Sequence, residues 1–385
     1  MPRNILSLLI ISATTGLLLT PAHGSDHCGP SIPPDGLPVF NVTDLGDDGQ
    51  GTLRWAFDQC KSTAGCVIKG IPGVITLLSP LDLEGAKNVY IEGKGLQVGG
   101  QEVLISNCNG VSITDVRFVL GANGPTNNDS LLIRDSNNIS VKHCTIVQGR
   151  DECLDIFRDC DCIVVEYCII GDPIRPSPDG SIGACFLSDP ALTGDVIMTH
   201  NLFGLANHRQ PQIACNGCRV DMINNVSAGY SGGNNISISH VYSEAPRVNI
   251  INHYNHLNNE YRNNANKNAL FSRDPQNLPY LENCSVYFDG IEGYQVDPLT
   301  HKDPNGPGFI RDKLFGSRDR SANNGQTQPS PNVLRSSPWD FIDPDIEIDP
   351  TLIALIDVYK SSGARPRGPL EQDFIDRAFD NIRDP

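Results

Sequence analysis

The sequence predicts an all-β solenoid, a stack of short parallel strands wound into successive rungs. Two observations carry this. The segment Ile139-Ser-Val141-Lys-His-Cys144-Thr-Ile146 reappears 24 residues on as Ile163-Val-Val165-Glu-Tyr-Cys168-Ile-Ile170. An earlier copy runs Val111-Ser-Ile113-Thr-Asp-Val116-Arg-Phe118, and later ones place Val196, Met198, Asn201 and Phe203 ahead of Val220, Met222 and Asn225. Like residues also recur at one place in the repeat, Cys144 over Cys168 and Asn201 over Asn225. Short strands at a period in the twenties, with one residue type stacking, are the signature of a solenoid whose rungs bury one continuous core.

The elements follow in chain order. A basic start, Met1-Pro-Arg, precedes an apolar run from Ile5 to Thr20, which reads as a secretory signal peptide over 1–24, cleaved near Gly24–Ser25. No later apolar run is long enough to span a bilayer, so a secreted, soluble protein is expected. Residues 25–40 are rich in Pro, Gly and Asp and form a cap or linker. A short strand, a glycine turn and a helix N-capped by Thr52 come next, the helix covering the open end of the solenoid. Gly46, Gly49 and Gly51 lack the lysine and the strand–helix setting of a phosphate loop, so turn geometry is the better reading.

Strands around Val67–Ile68, Val74–Leu77, Val89–Ile91 and Val103–Ile105 lead into the repeats, and Arg247–His253 adds a further rung with His253 in its core. The polar insertions 171–180 and 255–279 would wall a cleft. The solenoid with its N-terminal cap is expected over 25–302. Residues 303–385 would form an extended strap and a helical cap, with Leu352, Leu355, Ile356 and Tyr359 on one helix face and Phe374, Ala378, Phe379 and Ile382 on another.

A formal net charge of −16 argues against a nucleic-acid partner. A monomer is expected, with no membrane partner. Thirteen cysteines fit an oxidising compartment, and the odd number leaves at least one outside any intrachain pair. Cys60/Cys66 and Cys215/Cys218 are plausible short loops; Cys144 and Cys168 are either a disulfide between rungs or two stacked thiols. Cys215-Asn-Gly-Cys218 lacks a second ligand pair, which argues against zinc. Sequons at Asn41, Asn128, Asn138, Asn225, Asn235 and Asn283 fit a secreted glycoprotein, although Asn225 is also a ladder position, where burial would block a glycan.

The chemistry concentrates between residues 129 and 211. Adding one repeat of 24 to Asp129 reaches Cys153, midway between Asp151 and Asp155. Strand residues two apart share a face, so Asp151, Cys153 and Asp155 should project together, with Asp129 one rung away at about 4.8 Å. Three carboxylates on one face either form a solvated acidic surface or hold a cation, and hard oxygen ligands of this kind suit Ca²⁺.

These residues resemble the pectate lyases of the first polysaccharide lyase family. Val42-Thr-Asp-Leu-Gly-Asp-Asp-Gly-Gln-Gly-Thr-Leu-Arg54 is similar to the opening segment of many secreted members. Asp129-Ser-Leu resembles the first calcium-aspartate strand, and Asp151-x-x-x-Asp155 the paired calcium aspartates. Val196-Ile-Met-Thr-His-Asn-Leu-Phe203 followed by Arg209-Gln-Pro211 resembles the catalytic rung, and Gly363-Ala-Arg-Pro366 with Asp376-Arg377 the common ending. The resemblance implies a right-handed, single-stranded parallel β-helix with helical caps. It also implies Ca²⁺ held by Asp129, Asp151 and Asp155, Arg209 as catalytic base, and polygalacturonate or a related polyuronate as the acidic polysaccharide partner.

Register would put Arg209 two rungs beyond the aspartate strand, roughly 10 Å along the same face, leaving room for a sugar. Two features depart from the family. Its Arg-x-Pro-Arg-x-Arg run reads Arg209-Gln-Pro-Gln212-Ile-Ala214 here, and a substrate-binding lysine expected near Ser181 is absent. Arg175, Arg219, Arg247 and Lys267 are the cations left to take that part. The departures keep a second reading open, a catalytically silent β-helix that binds polysaccharide. The aspartate triad argues against a pectin lyase, and no set of hydrolytic aspartates with a Gly-His-Gly supports a polygalacturonase.

Overall fold

The computed structural model describes residues 28, 30, 32–174, 183–206, 209–230, 236–238, 242–244, 246–257, 271–273, 280–282, 285–288, 291–295, 315–317 and 351–380, with scattered positions between 340 and 349. The chain is a parallel β-solenoid of about eight turns. Among the described residues a nine-stranded parallel sheet forms one wall, running from Leu81–Glu84 through Glu152–Phe157, Gly183–Asp189 and Gln212–Cys215 to Phe315–Ser317. The other two walls count as one eighteen-stranded sheet, because Lys87–Gly99 and Asn109–Val119 bend around a corner and belong to both.

The repeat read from sequence is the register of the second wall. Ile139 pairs with Ile163, Ile163 with Val196 and Val196 with Val220, each side chain fully buried. One residue per turn makes the corner into the third wall by taking a left-handed backbone: His143, Tyr167, His200, Asn224 and Asn252, with φ from 49 to 58°. Such a conformation is unfavourable for bulky side chains. Three of them offset it by stacking, with ring centroids 5.1 Å apart for His143–Tyr167 and 4.8 Å for Tyr167–His200.

The residue after each corner points inward and forms a polar ladder. Asn225 Oδ1 accepts from the Asn201 backbone N–H at 2.9 Å, and Asn201 Oδ1 accepts from the Cys168 N–H at 2.9 Å. Cys168 Sγ accepts from the Cys144 N–H at 3.4 Å, and both thiols are free, so stacked thiols are the outcome there. His253 continues the column, buried against Ser227 Oγ at 3.1 Å. The Asn225 sequon is fully buried, as the ladder requires. Asn225→Ala would strip partners from buried backbone groups, and we expect a loss of about 1–3 kcal/mol in the urea unfolding free energy. A loss within 0.5 kcal/mol, roughly a surface substitution's effect, would show the ladder to be dispensable.

Helix α1 (Leu53–Lys61) is capped by Thr52, whose hydroxyl accepts from the Trp55 N–H at 3.2 Å. It buries Leu53, Ala56, Phe57 and Cys60. The Cys60–Cys66 disulfide ties its end to the first rungs, and Cys215–Cys218 closes a short loop. A third disulfide, Cys28–Cys162, was not foreseen; it joins segments 134 residues apart. Helices α2 (Thr351–Ser361) and α3 (Pro369–Asp380) lie along the third wall. Val358, Phe374, Ile375 and Ala378 pack there on Val147, Ile169, Leu202, Val226 and Ala228. The Arg117 guanidinium fastens them, donating to Glu371 at 2.7 and 3.0 Å, while Thr145 Oγ1 donates to the same carboxylate at 2.7 Å. Ile342 and Ile346 cover Val164 and Ile197 on the second wall. Ile382, Arg175, Ser181, Lys267, Asn235 and Asn283 lie outside the described residues, as do the signal segment and most of 303–339.

Candidate active site

Strand Glu152–Phe157 pairs with Leu131–Arg134 through Leu154↔Leu131 and Asp155↔Leu132. The step between these strands is 23 residues, since Asp129 Oδ1 accepts from the Glu152 N–H at 2.7 Å. This corrects the expected 24: Asp129 stands level with Glu152. The shared face of Asp151, Cys153 and Asp155 is also corrected, because Cys153 is fully buried in the core with Leu154 and Ile156. Glu152, Cys153 and Leu154 are buried in succession, and alternation between buried and part-exposed positions begins only afterwards. Asp155 then faces outward beside Leu132 and Phe186.

The acidic cluster is nevertheless real, and larger than three. Asp129 interacts electrostatically with Asp155, Glu152 and Glu102, and Asp151 with Glu102, Glu152 and Asp155. Glu102 accepts from the Asp129 N–H at 2.9 Å. Burial, then repulsion from neighbouring carboxylates, pushes Asp129 and Asp155 well above the usual carboxylate range. Burial also raises Glu152 to about 7, against the opposing pull of Arg209. Asp155 Oδ1 is enclosed and has no hydrogen-bond partner.

All of these donors are oxygens, one is orphaned, and the cluster repels itself, which is the chemistry a hard cation relieves. Geometry is less complete: among the described residues no group of three His, Cys, Asp or Glu is already placed to hold a metal ion.

Each raised carboxyl holds its proton more tightly in the folded chain than in the unfolded one, so its contribution to stability falls as pH rises. For Glu152 that loss runs from about pH 4.5 to about pH 7. Buried His143, lowered to about 3 by desolvation and then by Arg365, acts with the opposite sign below its ordinary 6.5. Glu152→Gln isolates the first effect. Its melting temperature in chelator, relative to the original protein, should rise between pH 5 and pH 8; a constant difference would refute the assignment.

Arg209 enters this cluster. It precedes strand Gln212–Cys215, two strands beyond Glu152–Phe157, yet its guanidinium reaches back and donates from Nη1 to Glu152 Oε1. The 10 Å gap expected from register is therefore spanned by the side chain itself. Gly183 permits this, since a Cβ there would lie 2.6 Å from Arg209 Cβ and 2.8 Å from its Cδ. The guanidinium carbon sits 4.6 Å from the Phe186 ring centroid. Glu102, Glu152 and Phe186 were not foreseen. The 23-residue step would have exposed Glu152, and a phenylalanine on an outward strand position was the signal for Phe186.

Of the proposed replacement cations, Arg219 and Arg247 belong to the other sheet. Arg219 is paired with Asp195, and Arg247 donates to the Gly217 carbonyl at 3.3 Å. Besides Arg209, Arg134 acts electrostatically on the cluster through Glu102, while Arg150, next in sequence to Asp151, donates from Nη1 to the carbonyls of Ala122 and Gly124 at 3.2 and 2.7 Å and has its Nε buried without a partner.

No family model matches the chain. It is 28% identical over 238 residues to the probable pectate lyase C of Emericella nidulans, a match covering 60% of this chain and 52% of that protein. It is 28% identical over 200 residues to the probable pectate lyase C of Aspergillus fumigatus, covering 51% and 44%. The chain thus spans about half the length of the curated relatives it matches. Among solved structures, the pectate lyase of Paenibacillus sp. 0602 aligns with a TM-score of 0.57 at 9% identity, covering 89% of this chain and 95% of that one. The pectate lyase of Bacillus sp. N165, solved with trigalacturonate, gives 0.55 at 15% identity over 86% and 94%. The fold is that of solved pectate lyases, and the curated proteins this chain resembles in sequence carry the pectate lyase name.

Proposed function

We propose that the chain is a secreted, calcium-dependent lyase that cleaves α-1,4-polygalacturonate or a related polyuronate by β-elimination. The observation that carries this reading is the convergence of Arg209 and the acidic cluster on one outer face. The relatives named pectate lyase support the substrate class.

Asp129, Asp151 and Asp155 would hold the ion, the enclosed Oδ1 of Asp155 being the oxygen in want of a partner. Bound Ca²⁺ would neutralise the uronate carboxylate and so make the C5 proton beside it more acidic. Arg209, in its deprotonated form, would accept the C5 proton. The C–H electron pair then forms the C4–C5 double bond as the C4–O bond breaks, and the leaving oxygen takes a proton from solvent. A guanidinium is almost always protonated at neutral pH, so turnover should favour alkaline pH.

The test is release of unsaturated uronate from polygalacturonate, followed by ultraviolet absorbance at alkaline pH with calcium or with chelator. A calcium-dependent rise is expected. A flat trace across several polyuronates, with calcium still bound, would favour the silent polysaccharide-binding scaffold. That second reading has one observation behind it: Gln212, in register with Phe186, offers no charge where the family carries arginine.

A further inference from the structure

Arg209 is held at its backbone, across its stem and at the face and one edge of its guanidinium, while its Nε is buried without a hydrogen-bond partner. Its backbone takes a left-handed conformation, φ 58°, and its carbonyl accepts from the N–H groups of Ala184 and Cys185 at 3.0 and 2.9 Å, which fixes where the side chain starts. The bare surface of Gly183 lets the aliphatic stem lie across the intervening strand. The Phe186 ring then forms a floor under the guanidinium at 4.6 Å, and the nearly buried Glu152 carboxylate accepts from Nη1 at its far end. Register places Phe186 between Asp155 and Gln212, so the floor belongs to the same outer face as the acidic cluster.

We propose that Phe186 and Glu152 are positioning residues that hold the Arg209 guanidinium in a single orientation for proton transfer, an inference that rests on the lyase reading. An arginine side chain has many rotamers. An aromatic floor constrains its plane through cation–π contact, and a carboxylate at one edge constrains its rotation within that plane. The benefit of the clamp is geometric: the reacting group is ordered before substrate arrives.

Phe186→Leu keeps apolar bulk and removes the aromatic face, while Phe186→Tyr keeps the ring. The leucine variant should lose on the order of tenfold or more in kcat with KM changed less than about twofold, and tyrosine should restore kcat. A leucine variant with unaltered kcat, or a change confined to KM, overturns the proposal. Glu152→Gln, which keeps an acceptor without the charge, should fall between the two.

A second readout separates this inference from the lyase reading. The Arg209 Nε–H nuclear magnetic resonance signal, assigned by its loss in Arg209→Lys, should be protected from water exchange in the original protein and broadened in Phe186→Leu. If the original protein releases no unsaturated product, the lyase reading fails and this signal decides the clamp alone. Equal protection in both proteins would remove it.

Discussion

Arg209→Lys should lower the release of unsaturated product from polygalacturonate by about 10²–10⁴-fold, the range over which a positioned proton acceptor acts. The substitution is chosen because it keeps a positive charge while removing the planar fork. In the structure that fork has two engaged surfaces, the face on Phe186 and the edge on Glu152. An ammonium can pair with Glu152 but cannot lie flat over the ring in the same way. Folding should survive, since Arg209 lies on the outer face and neither ladder nor core depends on its side chain. A lysine variant retaining more than about a tenth of the original rate would take the proton-acceptor role away from Arg209.

Glu371→Ala should cost about 3–5 kcal/mol of unfolding free energy, because it leaves a buried guanidinium without its counter-charge. The Glu371 side chain is 0% exposed and that of Arg117 11%. One carboxylate there receives Arg117 on two nitrogens, Thr145 Oγ1, and the Gly368 N–H at 2.8 Å. Arg117 also donates to the carbonyls of Gly95 and Pro366, so a single pair binds the chain's ending to the third wall. The contrast is Arg377–Asp172, whose side chains are 39% and 22% exposed; Asp172→Ala should cost about 1 kcal/mol or less. Denaturant unfolding of both variants tests the pair of expectations. Equal losses at the two sites would mean that burial does not govern their worth.

The rungs were legible because a solenoid repeats its own solution. Ile139, Ile163, Val196 and Val220 meet the same inward environment, so each copy confirms the others. The Thr52 cap was legible for a local reason, since a hydroxyl before a helix has one evident use. The site was harder. The step differs from wall to wall, 23 residues from Leu131 to Leu154 against 24 from Cys144 to Cys168, so a step taken from the cysteines misplaced Asp129 by one residue and hid Glu152. Arg209 was placed by its motif, but its reach back over Gly183 depends on a missing side chain on a different strand. Cys28–Cys162 had no local signal, because its partners are brought together only by the finished fold.

The spacing of the inward ladder has a consequence for how such a chain can change. From Cys144 to Cys168 the rung takes 24 residues, from Cys168 to Asn201 33, and from Asn201 to Asn225 24 again. The longer excursion leaves the hydrogen bond across it as short as its successor, 2.9 Å in both cases. The strands on either side of the longer excursion keep their pairing, Ile163 with Val196 and Ile169 with Leu202, so the cost is a modest loop-closure entropy rather than a repacked core. The connections between rungs are therefore natural places for grafting: residues added between the strands that end at Gly171 and begin at Gly183 should leave the pairing of the rungs in register.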